Sequence, residues 1–193
     1  MIGEKLGHVF DRPLRGLAGW ITVSPNSLTI TGFLLTLAAS TILMRDIFLG
    51  AVLILVSGAF DILDGVVARC NNKVTPFGAF LDSVLDRYSD AAMYLGLAVN
   101  LLNHQNTTGA CLSVIALIGS LLISYTRARA EGLGWSCTIG LMERPERIIV
   151  LTLGALGGFI MPALWLLAVL THLTAAQRVH HIWRLATNEK TGG

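Results

Sequence analysis

Long apolar runs separated by short polar breaks organise this chain, and its first residues stand apart from them. In residues 1–22, Ile2, Leu6, Val9, Phe10, Leu14 and Leu17 recur at helical spacing, with Lys5, Arg12 and Arg15 among the polar positions. That pattern predicts an amphipathic helix lying on a membrane surface. Asp11, Arg12, Pro13 and Arg15 interrupt any apolar core, so the stretch does not read as a cleavable signal. Beyond Ser24-Pro25-Asn26 the apolar runs cover Ser27–Met44, Ile47–Cys70, Phe77–Leu102, Gly109–Ala130 and Ile148–Ile160. A last run begins after Pro162, reaches Ala176 and continues as a helix through Gln177, Arg178 and Trp183. Their lengths suit a hydrocarbon core of about 30 Å. The fifth is short, and Gly154, Gly157 and Gly158 there invite close helix packing. The expected fold is all-α, a polytopic membrane protein of six transmembrane helices preceded by the surface helix. Residues 23–186 form the membrane domain and 187–193 a polar tail.

Composition agrees. Of 193 residues, 53% are hydrophobic and 13% charged, and the mean hydropathy of +0.66 lies outside the soluble globular range. A net charge of +2 is too small to point to nucleic acid. Cys70, Cys111 and Cys137 are odd in number and widely spaced, which indicates neither a disulfide framework nor a zinc site. The histidines, His8, His104, His172, His180 and His181, form no ligand spacing with the acids. In a six-span arrangement every Lys and Arg except Arg45 falls on one side, which should be cytoplasmic and hold both termini.

The chemistry gathers in Asp61–Asp86, DILDGVVARCNNKVTPFGAFLDSVLD. At about 100° per residue, Asp61, Asp64, Gly65 and Ala68 share roughly a third of one helix's circumference, with Arg69 just outside. Asp82 and Asp86 are one turn apart on the next helix, with Gly78 a turn earlier. Asn71-Asn72-Lys73 and Pro76 supply a turn between the helices, so the two carboxylate faces become neighbours in a hairpin. An Asp at mid-membrane costs about 2.5–3.5 kcal/mol on insertion scales, so four without compensation would cost roughly 10 kcal/mol. Capping or ordinary ion pairing accounts for one or two acids, not four on converging faces. Oxygen-only ligands suit a hard cation such as Mg²⁺, Mn²⁺ or Ca²⁺.

The pattern D-x2-D-G-x2-A-R-x8-G-x3-D-x3-D, carried by Asp61, Asp64, Gly65, Ala68, Arg69, Gly78, Asp82 and Asp86, resembles the signature of the CDP-alcohol phosphotransferases at all eight positions. The resemblance implies a membrane transferase with a CDP-linked lipid donor, CMP as leaving group, two Mg²⁺ or Mn²⁺ ions and a homodimer in the cell membrane. It further implies that Asp61, Asp64, Asp82 and Asp86 bind metal and that Asp86 also takes the acceptor hydroxyl's proton. A carboxylate crowded by other acids can be shifted upward toward such a role. Gly65, Ala68 and Gly78 would leave room for the nucleotide, Asp61 would contact the CDP-lipid, Arg69 would pair with the motif acids or with the lipid's phosphate, and Asn26 and Thr29, which match the family's short pre-helix motif, would contact the nucleotide.

Arg127, Arg144, Arg147 and Arg178 come from three places in the chain yet fall on the side expected to hold the aspartates. Arginines at a helix start are a ready phosphate receptor, and Pro145 suits a helix's first turn. Ser124–Glu131, Glu143–Arg147 and Gln177-Arg178 look like segments of the family's inositol-phosphate branch, the bacterial phosphatidylinositol phosphate and archaeal archaetidylinositol phosphate synthases. There, basic residues hold the acceptor's phosphate; the first is often Lys and is Arg127 here. The expected reaction is therefore transfer from CDP-diacylglycerol or CDP-archaeol to inositol 1-phosphate, with the site facing the cytoplasm. Glycerol 3-phosphate as acceptor is the nearest alternative, since it also brings a phosphate. A cation transporter would instead spread its acids through the membrane's depth.

Overall fold

The computed structural model describes residues 24–70 and 75–191, with backbone alone for 62–65, 68–70 and 189–191. The expected surface helix of residues 1–22 and the turn at 71–74 lie outside these residues. Six helices are described: α1 (Pro25–Leu43), α2 (Ile47–Cys70), α3 (Pro76–Asn103), α4 (Thr107–Glu131), α5 (Arg144–Leu156) and α6 (Ile160–Thr191). Two starts follow directly from local chemistry. Ser24 Oγ accepts from Ser27 N (3.2 Å) and Thr75 Oγ1 from Gly78 N (3.0 Å), each with proline just inside the helix. Asp46 Oδ1, accepting from Leu49 N (2.9 Å), does the same for α2.

The break between the last two helices differs from expectation. It falls at Gly157–Gly158, where Gly158 has φ 74°, a left-handed conformation that suits glycine. Pro162, expected to precede α6, stands in its first turn, where its missing N–H leaves no intrahelical bond unmade. α6 runs on through residues 187–191. Among the described residues, three helices are long and apolar enough to cross a membrane: α1, α4 and α6 over Ile160–Asn188. α2 qualifies as a shorter apolar helix over Ile47–Asp61. α3 has the length but carries Asp82, Asp86, Arg87 and Asp90, while α5, at 13 residues, spans only about 20 Å.

The chain divides into two compact units, one up to Asn106 and one from Thr107. In the first, α1 packs against both α2 and α3. Its buried stripe is Thr29, Gly32, Thr36, Ala39, Ser40 and Leu43, mostly small residues at three- and four-residue spacing that allow close backbone approach. A Cβ on Gly96 would lie 2.6 Å from the Ser40 carbonyl oxygen, so α1 and α3 meet there backbone to backbone. Polar groups in the seam are paired within it. Ser57 Oγ donates to Gly32 O across the α1–α2 contact (2.9 Å), Thr36 Oγ1 donates to the same oxygen (3.1 Å), and the two hydroxyls touch.

In the second unit α6 packs against α4 and α5. Gly119 abuts Thr171 and His172, and Gly154 abuts Ala163. Ile123, Met142 and Ala175 form a buried cluster backed by Val150 and Leu170, which fixes the 132–143 loop onto the helices.

Gly96→Ala should therefore drive α1 from α3 and lower stability by about 1–3 kcal/mol. Gly58→Ala, whose Cβ meets nothing within 4 Å, should be neutral or stabilising by up to about 1 kcal/mol through helix propensity. Thermal unfolding of the two variants in detergent checks the contrast, and equal losses would contradict the packing.

Candidate functional site

In the first unit α1 packs against both α2 and α3, the helices that carry the two halves of the aspartate motif. Asp61 on α2 is half-buried, and its Oδ1 lies 2.9 Å from the position a Cβ of Gly32 would take. Only a residue without a side chain leaves that carboxylate oxygen its place beside α1. The same holds one helix on. Gly78 has Asn26 Oδ1 and Thr75 Oγ1 each 3.0 Å from its would-be Cβ, so the amide of Asn26 occupies the space Gly78 leaves open. Thr29 is buried, and its hydroxyl donates to Pro25 O (3.1 Å). Asp82 and Asp86 are half-buried on α3. Asp86 Oδ2 has Arg87 Nη1 at 3.9 Å, and that guanidinium also donates to Ser83 O (2.5 Å).

The side chains of Asp64, Gly65, Ala68 and Arg69 lie outside the described residues. Among those described, no three His, Cys, Asp or Glu side chains converge as a metal-holding group. The donor chemistry nevertheless fits a hard divalent cation. Asp61, Asp82 and Asp86 offer only oxygen, and the Gly32 gap keeps an oxygen of Asp61 clear of side-chain bulk. Two residues beyond the motif belong to this picture. Gly32 is one, with no mark in the sequence because its partner is 29 positions away. Asp90 is the other, 4% exposed and two turns beyond Asp82 on the same side of α3.

The second unit holds the arginines, and their settings differ. Arg178 is 2% exposed and donates Nε to Ile139 O (2.8 Å) and Nη1 to Ile123 O (2.7 Å). Arg147, 3% exposed, donates Nη1 to Met142 O (3.0 Å). Arg144 is half-buried at the start of α5, and Arg127 pairs with Glu131 at 2.8 Å on the partly exposed end of α4. The 139–142 segment thus ties two buried guanidinium groups. Gly140 makes this possible: its φ is 135°, and a Cβ there would press on Thr174 and lie 3.4 Å from Arg178 Nε. Arg127, Arg147 and Glu143 are all near enough to act electrostatically on Arg178. In the same loop, burial raises the Cys137 thiol above its usual range, an effect that Arg178 and Arg127 oppose.

Comparison with known proteins gives one consistent relationship. The family described as CDP-alcohol phosphatidyltransferase matches residues 22–177. The chain is 38% identical over 183 residues to archaetidylinositol phosphate synthase of Methanothermobacter thermautotrophicus, covering 91% of each. It is 40% identical over 181 residues to the enzyme of that name from Pyrococcus horikoshii, covering 93% of each. Phosphatidylinositol phosphate synthase of Mycobacterium tuberculosis, crystallised with CDP-DAG bound, has a TM-score of 0.79 at 32% identity, covering 93% of this chain and 94% of that one. Its crystal structure in complex with manganese and citrate has a TM-score of 0.82 at 33% identity, covering 90% and 88%. With the eight motif positions on α2 and α3 and a family match across nearly all described helices, the chain belongs to the CDP-alcohol phosphatidyltransferases and is a transferase.

Proposed function

We propose that this transferase moves a phosphatidyl-type group from a CDP-lipid to a hydroxyl of inositol 1-phosphate, releasing CMP. The observation that carries the acceptor is the grouping of Arg127, Arg147 and Arg178 around one loop, with two of the three guanidinium groups buried. Like charges so placed repel one another, and an anionic ligand offsets that repulsion. A phosphate monoester carries nearly two negative charges and accepts bidentate hydrogen bonds from arginine. The names of the archaeal and mycobacterial relatives, archaetidylinositol phosphate synthase and phosphatidylinositol phosphate synthase, support the same acceptor. Arg144 completes the proposed set.

The donor is read from the first unit. Asn26, Thr29, Asp61, Gly65, Ala68, Arg69 and Gly78 take the CDP end of the lipid, and a relative bound to CDP-DAG supports this. Asp61, Asp64, Asp82 and Asp86 would hold Mg²⁺ or Mn²⁺, as two ions, which the manganese complex of the mycobacterial protein supports. When bound, such ions neutralise the diphosphate and the departing CMP phosphate. The acceptor oxygen bonds to the lipid-bearing phosphorus, the phosphoanhydride bond to CMP breaks, and the hydroxyl proton passes to the Asp86 carboxylate. All six helices cross the cell membrane in this reading, with the motif toward the cytoplasm and the enzyme a homodimer. The lipid is diacylglycerol or archaeol based.

CMP release by the purified protein tests both halves. With Mn²⁺ or Mg²⁺ limiting, Asp64→Asn should lose most activity and regain part of it at high metal, whereas Asp86→Asn should lose turnover at every metal concentration. Near-normal release by Asp64→Asn at limiting metal would contradict the ligand assignment.

Inositol 1-phosphate should be turned over in clear preference to free inositol, serine and glycerol 3-phosphate. Loss of one charge-assisted hydrogen bond, as in Arg127→Ala, should raise the acceptor KM about tenfold to a hundredfold with the CDP-lipid KM unchanged. Equal turnover of free inositol would contradict the phosphate site, and preference for glycerol 3-phosphate would leave that site and change the acceptor.

A further inference from the structure

Two buried oxygens of the second unit, Glu146 Oε2 and Thr174 Oγ1, have no hydrogen-bond partner among the described residues. Phosphate binding by arginine accounts for neither. Thr174 is 1% exposed. Other buried threonines of this unit return their hydroxyl to the carbonyl one turn back, as Thr171 on the same helix does to Leu167 O (2.8 Å) and Thr152 on α5 to Ile148 O (2.7 Å). Thr174 makes no such bond. Its methyl lies 2.5 Å from the position a Cβ of Gly140 would take, in the segment whose next residue back, Ile139, accepts from Arg178. Arg178 stands one turn further along the same face of α6. Glu146 lies in the first turn of α5, between Arg144 and the buried Arg147 that is tied to Met142. The 139–147 stretch therefore connects both oxygens to the arginine group.

A buried acceptor left unmade is expensive, so each oxygen calls for a partner that the described residues do not supply. A carboxylate only accepts hydrogen bonds and repels a phosphate, whereas an alcohol hydroxyl donates to it readily. A threonine hydroxyl both donates and accepts. We infer that Glu146 and Thr174 are specificity-determining residues that read the ring hydroxyls of a polyol phosphate while the arginines hold its phosphate. The inference rests on the acceptor reading given above. It differs from a role for Glu146 as counter-charge at a basic helix start, because a counter-charge acts on any anion bound there.

Steady-state kinetics separates the two. For wild type, E146A, E146Q and T174V, the KM for inositol 1-phosphate is measured beside the inhibition constant of inorganic phosphate against it. E146A should raise that KM about tenfold to a hundredfold, the range for a hydrogen bond to a charged group, with phosphate inhibition changed less than twofold. E146Q keeps a carbonyl acceptor and should recover part of the loss. T174V, nearly isosteric, should raise the KM about threefold to tenfold, the range for a neutral hydrogen bond. The CDP-lipid KM should hold in all three variants, which also shows that they fold. Parallel shifts in KM and phosphate inhibition, or an unchanged KM in both E146A and T174V, would overturn the inference while leaving the arginine site intact. Failure of the wild type to use inositol 1-phosphate at all would instead bring down the acceptor reading, and this inference with it.

Discussion

Carboxylates set among apolar helices need both room and compensation, and the first unit is arranged to give them room. α1 reaches α2 and α3 along a stripe of small residues, and the closest approaches are at glycines. Gly32 leaves the space beside which Asp61 Oδ1 sits, Gly78 leaves the space taken by Asn26, and Gly96 lets the α1 backbone meet α3 at Ser40. Larger side chains at these points would separate the helix carrying the pre-helix motif from those carrying the acids. Thr36 and Ser57 show the same economy, their hydroxyls converging on one carbonyl inside the seam. The compensation is the divalent cation proposed for the aspartates, since oxygen donors alone in an apolar setting suit no softer ion.

The second unit solves the opposite problem, how to keep cations where an anion can be received. Buried guanidinium groups are stable only when their N–H groups are met, and backbone carbonyls of Ile123, Ile139 and Met142 do part of that work for Arg178 and Arg147. Backbone carbonyls orient an arginine without carrying a full opposing charge. The charges of Arg178 and Arg127 also act on Cys137. Gly140 is the hinge of this arrangement, because its backbone conformation and the nearness of Thr174 and Arg178 leave no space for a side chain.

Much of this was legible in the residues. Ser24-Pro25 and Thr75-Pro76 mark helix starts by capping chemistry that acts within three positions, and the structure has both. The motif's spacing alone put Asp61 on α2 and Asp82 and Asp86 on α3. Harder to read was anything set by distant partners. Arg178 is held by carbonyls 39 and 55 positions away, so counting charge found the residue but not its burial. Gly32 meets Asp61 across 29 positions with no local sign. The α5–α6 break was misplaced because proline and glycine both signal interruption, and only the left-handed Gly158 identifies which one makes it. Apolar length predicted six spans; among the described residues three helices meet that criterion by themselves, the charged motif interrupting α3 and the Gly157–Gly158 turn shortening α5.

The proposed role of the motif carboxylates requires that they hold a divalent cation before any substrate arrives. Mn²⁺ binding to the purified protein, followed by loss of the free-ion signal in electron paramagnetic resonance, tests it without turnover. Wild-type protein should bind Mn²⁺ saturably and be competed by Mg²⁺, while Asp61→Asn should bind at least tenfold more weakly with its fold intact. Equal Mn²⁺ binding by the two proteins would contradict the account.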